Sequence, residues 1–213
     1  IFTQNNVPAN LQDLNYTYDS VGNITKIIDS SMVSTAKTIN YTYDDLHRLT
    51  SANATNAING QNYYQSFAYN PIGNIISSPV GAYVYAGTNY ANPHAATSIA
   101  GTTYTYDNNG NLLTNGTLTN SWNYKNQLTN VVKAGVTSTY KYDHEGNRVT
   151  EIVGTTTTTF PNKYYNITNS GKKTRQIYAG DELVATLETV GTTTTPYYVH
   201  TDHLGSTHIV TNS

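Results

Sequence analysis

Along much of the chain apolar and polar residues alternate one for one, and the apolar positions are chiefly aromatic. Tyr16-Thr17-Tyr18 states the pattern, and Tyr41-Thr42-Tyr43, Phe67-Ala68-Tyr69, Tyr104-Thr105-Tyr106 and Tyr140-Lys141-Tyr142 restate it. A period of two is the strand period, so each pair of rings shares one face and the residue between them points the other way. The residues after each pair are equally regular. Asp19 leads to Gly22-Asn23, Asn70 to Gly73-Asn74, Asp107 to Gly110-Asn111 and Asp143 to Gly146-Asn147, while Asp44 leads to Arg48-Leu49. Asp and Asn side chains accept from backbone amides two residues on, and Gly-Asn tolerates the positive φ that must follow a type I turn. Each unit predicts a β-hairpin with a four- or five-residue loop. Trp122-Asn123-Tyr124-Lys125 with Leu128-Thr129 reads as a shortened copy. Lys125 stands there in place of Asp and Gly-Asn is missing, so its turn is expected to differ.

The second rings stand at Tyr18, Tyr43, Tyr69, Tyr106, Tyr124 and Tyr142, at spacings of 25, 26, 37, 18 and 18. The longest interval holds an insertion between Gly81 and Ile99, in which Tyr83-Val84-Tyr85 is a degenerate strand. Beyond residue 150 the motif stops, but strand signals continue over 155–160, 163–167, 175–179, 183–188 and 196–200, punctuated by Gly171, Gly180 and Gly191. No helix and no linker is expected. The prediction is an all-β fold of stacked antiparallel hairpins in one continuous curved sheet. Residues 1–150 form the repeat array and 151–213 continue the same sheet. A lone hairpin is marginal in water, so neighbours must stack, with aromatic cross-strand pairs contributing roughly 0.2–1 kcal/mol each.

Composition agrees. The chain has 20 Tyr, 36 Thr and 27 Asn, and only 11% charged residues, against about 25% in ordinary domains. Strand and turn formers abound and helix formers are scarce. A net charge of −2 offers no field for nucleic acid, and no apolar run approaches the roughly 18 residues of a membrane span. With no Cys, disulfides and thiolate chemistry are excluded. Low charge with much Asn, Thr and Tyr suits a secreted or cell-surface protein. The chain starts at Ile1 with no signal peptide, as expected of a piece of something longer.

Candidate chemistry is sparse. His200-Thr201-Asp202-His203 invites a metal or acid–base site, but on a strand only His200 and Asp202 share a face, and two ligands do not close a site. Hydrogen bonding near a turn is the simpler reading. Asp19, Asp44, Asp107 and Asp143 could be offered to Ca²⁺, but no Asp-x-Asp-x-Asp ladder is present, and turn capping accounts for each. There is no Gly-x-Ser-x-Gly elbow and no phosphate-binding glycine loop. Exposed Tyr and Trp122 could stack on sugar rings, although packing between hairpins explains them as well. Six Asn-x-Ser/Thr sequons, at Asn15, Asn23, Asn40, Asn53, Asn115 and Asn166, arise readily in a chain of this composition. No cofactor, metal or catalytic residue is expected.

The Tyr-Asp-x-x-Gly-Asn repeat resembles the YD repeat of bacterial Rhs proteins, of toxin-complex subunits and of animal teneurins. Three further stretches carry the likeness. Pro93-His94-Ala95-Ala96-Thr97-Ser98-Ile99 resembles the segment before a repeat in these proteins. Ile177-Tyr178-Ala179-Gly180 with Leu183-Val184-Ala185 is similar to the strand pair after the last one. Tyr197-Tyr198-Val199-His200-Thr201-Asp202-His203-Leu204-Gly205-Ser206-Thr207 resembles the opening of the Rhs-associated core region. The resemblance implies a structural wall, one part of a larger hollow β-shell that encloses a C-terminal toxin. In the family a self-cleavage motif follows the core region, which here would lie beyond Ser213. The structural repeat positions so implied are Tyr16, Tyr18, Asp19, Gly22, Asn23, Tyr41, Tyr43, Asp44, Tyr69, Gly73, Asn74, Tyr104, Tyr106, Asp107, Gly110, Asn111, Trp122, Tyr124, Tyr140, Tyr142, Asp143, Gly146 and Asn147. The core-region positions are His200, Asp202, His203, Gly205 and Ser206. Its partners would be the rest of its own shell and the cargo, with no nucleic acid and no membrane span. The competing expectation is an extracellular adhesin or self-assembling filament that binds glycans or further copies through Tyr-rich faces. A hydrolase around His200 and Asp202 is the weakest of the three.

Overall fold

The computed structural model describes residues 12–31, 36–56, 62–86 and 92–212. Every element among them is a strand, and every pairing is antiparallel between neighbours in sequence. No helix is present there, and so none long and apolar enough to cross a membrane. The first sheet comprises β1 (Leu14–Tyr18), β2 (Ile24–Asp29), β3 (Lys37–Tyr43), β4 (Leu49–Thr55) and β5 (Tyr63–Ser66). The second comprises β6 (Ala68–Tyr69), β7 (Ile75–Ser78), β8 (Gly81–Tyr85), β9 (Ala96–Ile99) and β10 (Thr102–Thr103).

The third sheet has twelve strands. They are β11 (Thr105–Tyr106), β12 (Leu112–Thr114), β13 (Leu118–Trp122), β14 (Leu128–Lys133), β15 (Val136–Tyr142), β16 (Arg148–Val153), β17 (Thr156–Asn162), β18 (Tyr165–Thr168), β19 (Lys173–Ala179), β20 (Glu182–Val190), β21 (Thr193–Thr201) and β22 (Thr207–Asn212).

The expected single sheet is therefore interrupted. The breaks fall at Phe67, between β5 and β6, and at Tyr104, between β10 and β11. At the first break the Phe67 N–H still donates to the Thr50 carbonyl (2.9 Å), so the chain leaves one ladder as it enters the next. The described chain divides into two compact units at Thr103 and Tyr104. Within the second unit β16 pairs with β17 over Thr150–Val153, so strand pairing runs on through residue 150. Residues 87–91 of the insertion lie outside the described residues.

In the first sheet the pairing sorts the side chains by polarity. Tyr16, Ile27, Ile39, Ala54 and Tyr63 succeed one another across the five strands on one face. Lys26, Asn40, Asn53 and Tyr64 line up on the other. Ala52 and Ala54 are buried on the first face, whereas Tyr64 on the second is 68% exposed. Among the described residues no large side chain is fully buried, and the buried apolar ones are all alanines. A layered domain buries large side chains between two layers. Here cohesion comes from each hairpin's contact with its neighbours.

The two ends of the hairpins differ. Ends following the Tyr-x-Tyr strands that lead into Asp19, Asp44, Asp107 and Asp143 carry five-residue corners. Some opposite ends turn more tightly, as at Ala100-Gly101 (φ 50° and 81°) and Ala134-Gly135 (φ 49° and 79°), the signature of a two-residue turn with positive φ at both positions. At Gly81 (φ 137°) an added Cβ would lie 2.8 Å from that of Ala100, so only glycine fits there.

Candidate functional site: the stacked corners

Seven corners share one hydrogen-bond scheme, opening at Asp19, Asp44, Asn70, Asp107, Asn123, Asp143 and Asp202. The first residue's N–H donates to the carbonyl of the fifth at 2.9–3.0 Å, and its carbonyl accepts from the fourth N–H at 2.9–3.3 Å. Its side-chain Oδ1 accepts from the third and fifth amides at 2.8–3.1 Å. The fourth residue holds φ between 58° and 93°. This is the predicted type I turn followed by a left-handed residue.

In five of these corners the fifth residue adds a side-chain bond to the first. Asn23, Asn111 and Asn147 donate to the second carboxylate oxygen at 2.8, 2.9 and 3.0 Å. Arg48 does the same through Nε at 2.7 Å. These contacts hold the carboxyls below the usual carboxylate range. The Arg48 guanidinium is the chief cause at Asp44, the Asn111 amide at Asp107 and the Asn147 amide at Asp143. At Asp202 the amides of Ser206 and Leu204 lead. At Asp19 desolvation pushes upward but is outweighed by hydrogen bonds from Asn23, Val21 and Gly22.

Three sequence expectations need correction. The fifth corner does not differ: it runs from Asn123 to Gln127 with the same bonds. Asn126 takes the left-handed place at φ 58°, and Asn123 Nδ2 donates to Gln127 Oε1 at 2.8 Å. Asn can replace Asp as the cap and also tolerates that φ. Second, the register there is shifted by two. Trp122, facing Leu128, fills the second-ring position, and Tyr124 projects from the loop at 88% exposure. Third, Asp202 is not on a strand beside His200. Its carboxylate caps the seventh corner, with Gly205 fourth and Ser206 fifth. His200 Nε2 lies 3.0 Å from Thr211 Oγ1, while His203 is in the loop. Among the described residues no three His, Asp or Glu side chains are placed to hold a metal. Sequence reading also missed a related corner at Thr168–Lys172, on the opposite edge, where Thr168 Oγ1 accepts from the Lys172 amide at 3.1 Å.

Beyond each corner the pairing slips by one residue. Tyr18 faces Ile24 but Thr17 faces Lys26, so Thr25 is bulged out. The same slip recurs behind Tyr43, Tyr69, Tyr85, Tyr106, Trp122 and Tyr142. Thr25 and Thr129, in the bulge, donate to the Thr17 and Ser121 carbonyls at 3.2 and 3.1 Å. The bulge presents the carbonyl of the residue before it to the next hairpin, and the second ring of that hairpin takes it. Tyr43 OH donates to Ile24 O, Tyr69 to Leu49, Tyr85 to Ile75 and Tyr142 to Leu128, at 2.8–2.9 Å. Trp122 Nε1 donates to Leu112 O at 2.9 Å. Burial pushes the phenols of Tyr41, Tyr43 and Tyr85 upward, with Tyr63, Tyr43 and Tyr16 adding to the effect at Tyr41.

Corners also touch one another. Arg48 Nη1 donates to Asn70 O at 3.2 Å, and its guanidinium lies 4.6 Å from the Tyr69 ring centre. Asn111 Nδ2 donates to Asn126 Oδ1 at 2.9 Å, and Lys125 Nζ to His144 O at 3.2 Å. Each of the two units thus carries a ladder of corners along one edge. This geometry positions neighbours, and the carboxylates it contains are occupied in holding turns.

The Teneurin YD-shell family profile matches residues 9–213. The chain belongs to that family, and it is a structural shell segment. Among solved structures it is similar to the Photorhabdus luminescens Tc holotoxin pore, at a TM-score of 0.64 and 19% identity, covering 95% of this chain and 12% of the other. It is also similar to the crystal structure of TcdB2-TccC3-TEV, at a TM-score of 0.60 and 18% identity, covering 94% and 13%. The chain therefore spans about an eighth of the chains it matches. At this identity the likeness is one of fold. No curated protein matches.

Proposed function

We propose that this segment is part of the wall of a hollow β-shell that encloses a C-terminal polypeptide cargo of a secreted or surface toxin-type protein. The observation that carries the reading is the head-to-tail stitching of hairpins in a chain whose large side chains, among the described residues, are all at least partly exposed. Such a sheet holds itself together along its length and leaves its faces for other parts of a container. Residues 1–150 would be the repeat array, and 151–213 the opening of the core region. The repeat Tyr, Asp, Gly and Asn positions act structurally, and we assign the chain no catalytic role.

The test is electron microscopy of the full-length polypeptide, together with limited proteolysis of the region C-terminal to Ser213. A closed hollow particle whose C-terminal region resists protease until the shell is denatured is the expected result. Fibres, or a freely digested C-terminal region with selective glycan retention, would instead favour the adhesin.

A further inference from the structure

Of the six histidines, His47, His144 and His203 lie in corners, His94 lies in the Asn92–Ala95 turn, and His200 and His208 lie on the strands flanking the last corner. Two of them join neighbouring turns, and they do so with opposite polarity. Asn23 Nδ2 donates to Asp19 Oδ2 at 2.8 Å, which fixes that end of the side chain as the amide nitrogen. The same nitrogen lies 3.2 Å from His47 Nδ1. A donor faces the ring there, so His47 Nδ1 is an acceptor and the ring proton sits on Nε2. Asn74 is turned the other way. Its Nδ2 donates to Pro93 O at 2.8 Å, and its Oδ1 lies 2.6 Å from His94 Nδ1. That ring nitrogen must carry its proton.

From this contrast we propose that the hook between the first and second corners is an acid-released latch, while the Asn74–His94 hook is indifferent to acid. A second proton on His47 goes to Nδ1 and sets two donors against each other. On His94 it goes to Nε2 and leaves the bond to Asn74 intact. Imidazole is the side chain that ordinarily changes charge between about pH 5 and 8, so the comparison below spans that interval. The charged or titratable groups on the two corners the hook joins are Asp19, and Asp44, Asp45 and Arg48, with Tyr43 leading into the second corner. Asp19 and Asp44 are engaged by Asn23 and Arg48. His47 already stands exposed, so the protonated ring has room to leave Asn23. The inference is independent of what a shell would contain.

Long-range ¹H–¹⁵N correlation spectra of the full chain read the tautomers directly. His47 is expected as the Nε2–H form and His94 as the Nδ1–H form. Amide exchange then reads the release. Corrected for intrinsic rates, protection of the Gly22 and Asn23 amides should fall by about two- to tenfold between pH 7.5 and 5.5, the range set by loss of one ordinary hydrogen bond. Gly73 and Asn74 should not change. His47→Gln keeps an acceptor that does not titrate, and should abolish the fall at Gly22 and Asn23. An Nδ1–H tautomer at His47 would overturn the proposal. So would a fall of equal size at both corners, or one that persists in His47→Gln.

Discussion

Removing a single oxygen tests whether the stitches hold neighbouring hairpins together. Tyr43→Phe deletes the hydroxyl that donates to Ile24 O at 2.8 Å and leaves the ring in place. An ordinary hydrogen bond contributes a net of roughly 0.5–1.5 kcal/mol, and a stranded buried acceptor costs roughly 1–3 kcal/mol. Tyr43 and Ile24 are half-buried, so water can partly replace the lost donor. The expected loss is about 1 kcal/mol, close to a fivefold change in the unfolding equilibrium. Tyr124→Phe is the matched control, because that ring projects into solvent at 88% exposure. Its effect should stay within about 0.5 kcal/mol. Urea unfolding of the full chain monitored by circular dichroism gives both values, provided the slope is unchanged between variants. Tyr142→Phe, which removes the bond to Leu128 O in the other compact unit, should add to Tyr43→Phe without coupling. If Tyr43→Phe proves as neutral as Tyr124→Phe, the hydroxyls are ornaments of the packing, and stitching is not what holds the hairpins together.

The corners lead to further expected outcomes. Each repeat Asp has its native pKa below the unfolded value, so its contribution is present above about pH 4 and fades as pH falls through the lower native value. Asp143→Asn, which copies the natural Asn123 corner, should give up that charge-dependent part of the stability at neutral pH and flatten the acid transition seen by circular dichroism. For the half-buried phenols the sign is reversed. Stability supplied by Tyr43 and Tyr85 is complete below about pH 10 and is lost as pH rises through their higher native values, so absorbance at the tyrosinate band should rise late and together with unfolding. Gly81→Ala meets both a forbidden φ of 137° and the Ala100 Cβ at 2.8 Å, and a loss of roughly 1–3 kcal/mol or more should appear in thermal melts.

The repeat makes the hairpins legible in the sequence itself, because Tyr-x-Tyr and Asp-x-x-Gly-Asn are local signals with local causes. Corners built from substitutes are harder to read. Asn123, Asn126 and Gln127 supply the same acceptor, the same positive φ and a matching side-chain bond without the expected letters, so Trp122-x-Tyr124 aligns two residues late. Asp202 invites a ligand reading because a pair of histidines flanks it, although Leu204-Gly205-Ser206 carries the turn spacing that gives it away. The breaks at Phe67 and Tyr104 leave no mark of their own, since strand propensity continues through both. Nor does composition say which atom a tyrosine hydroxyl will find. The bulge behind each corner sets that, and a bulge is a matter of register.

The stitches have a direction. Where a stitch is made, a hairpin offers a ring donor to the hairpin before it, and the bulge carbonyl of that earlier hairpin accepts. A hairpin copied or deleted within the gene would therefore bring or remove one plug and one socket together, leaving its former neighbours able to mate. Such a chain can change length by recombination without a compensating mutation elsewhere, and sheets of many lengths become reachable from one short cassette.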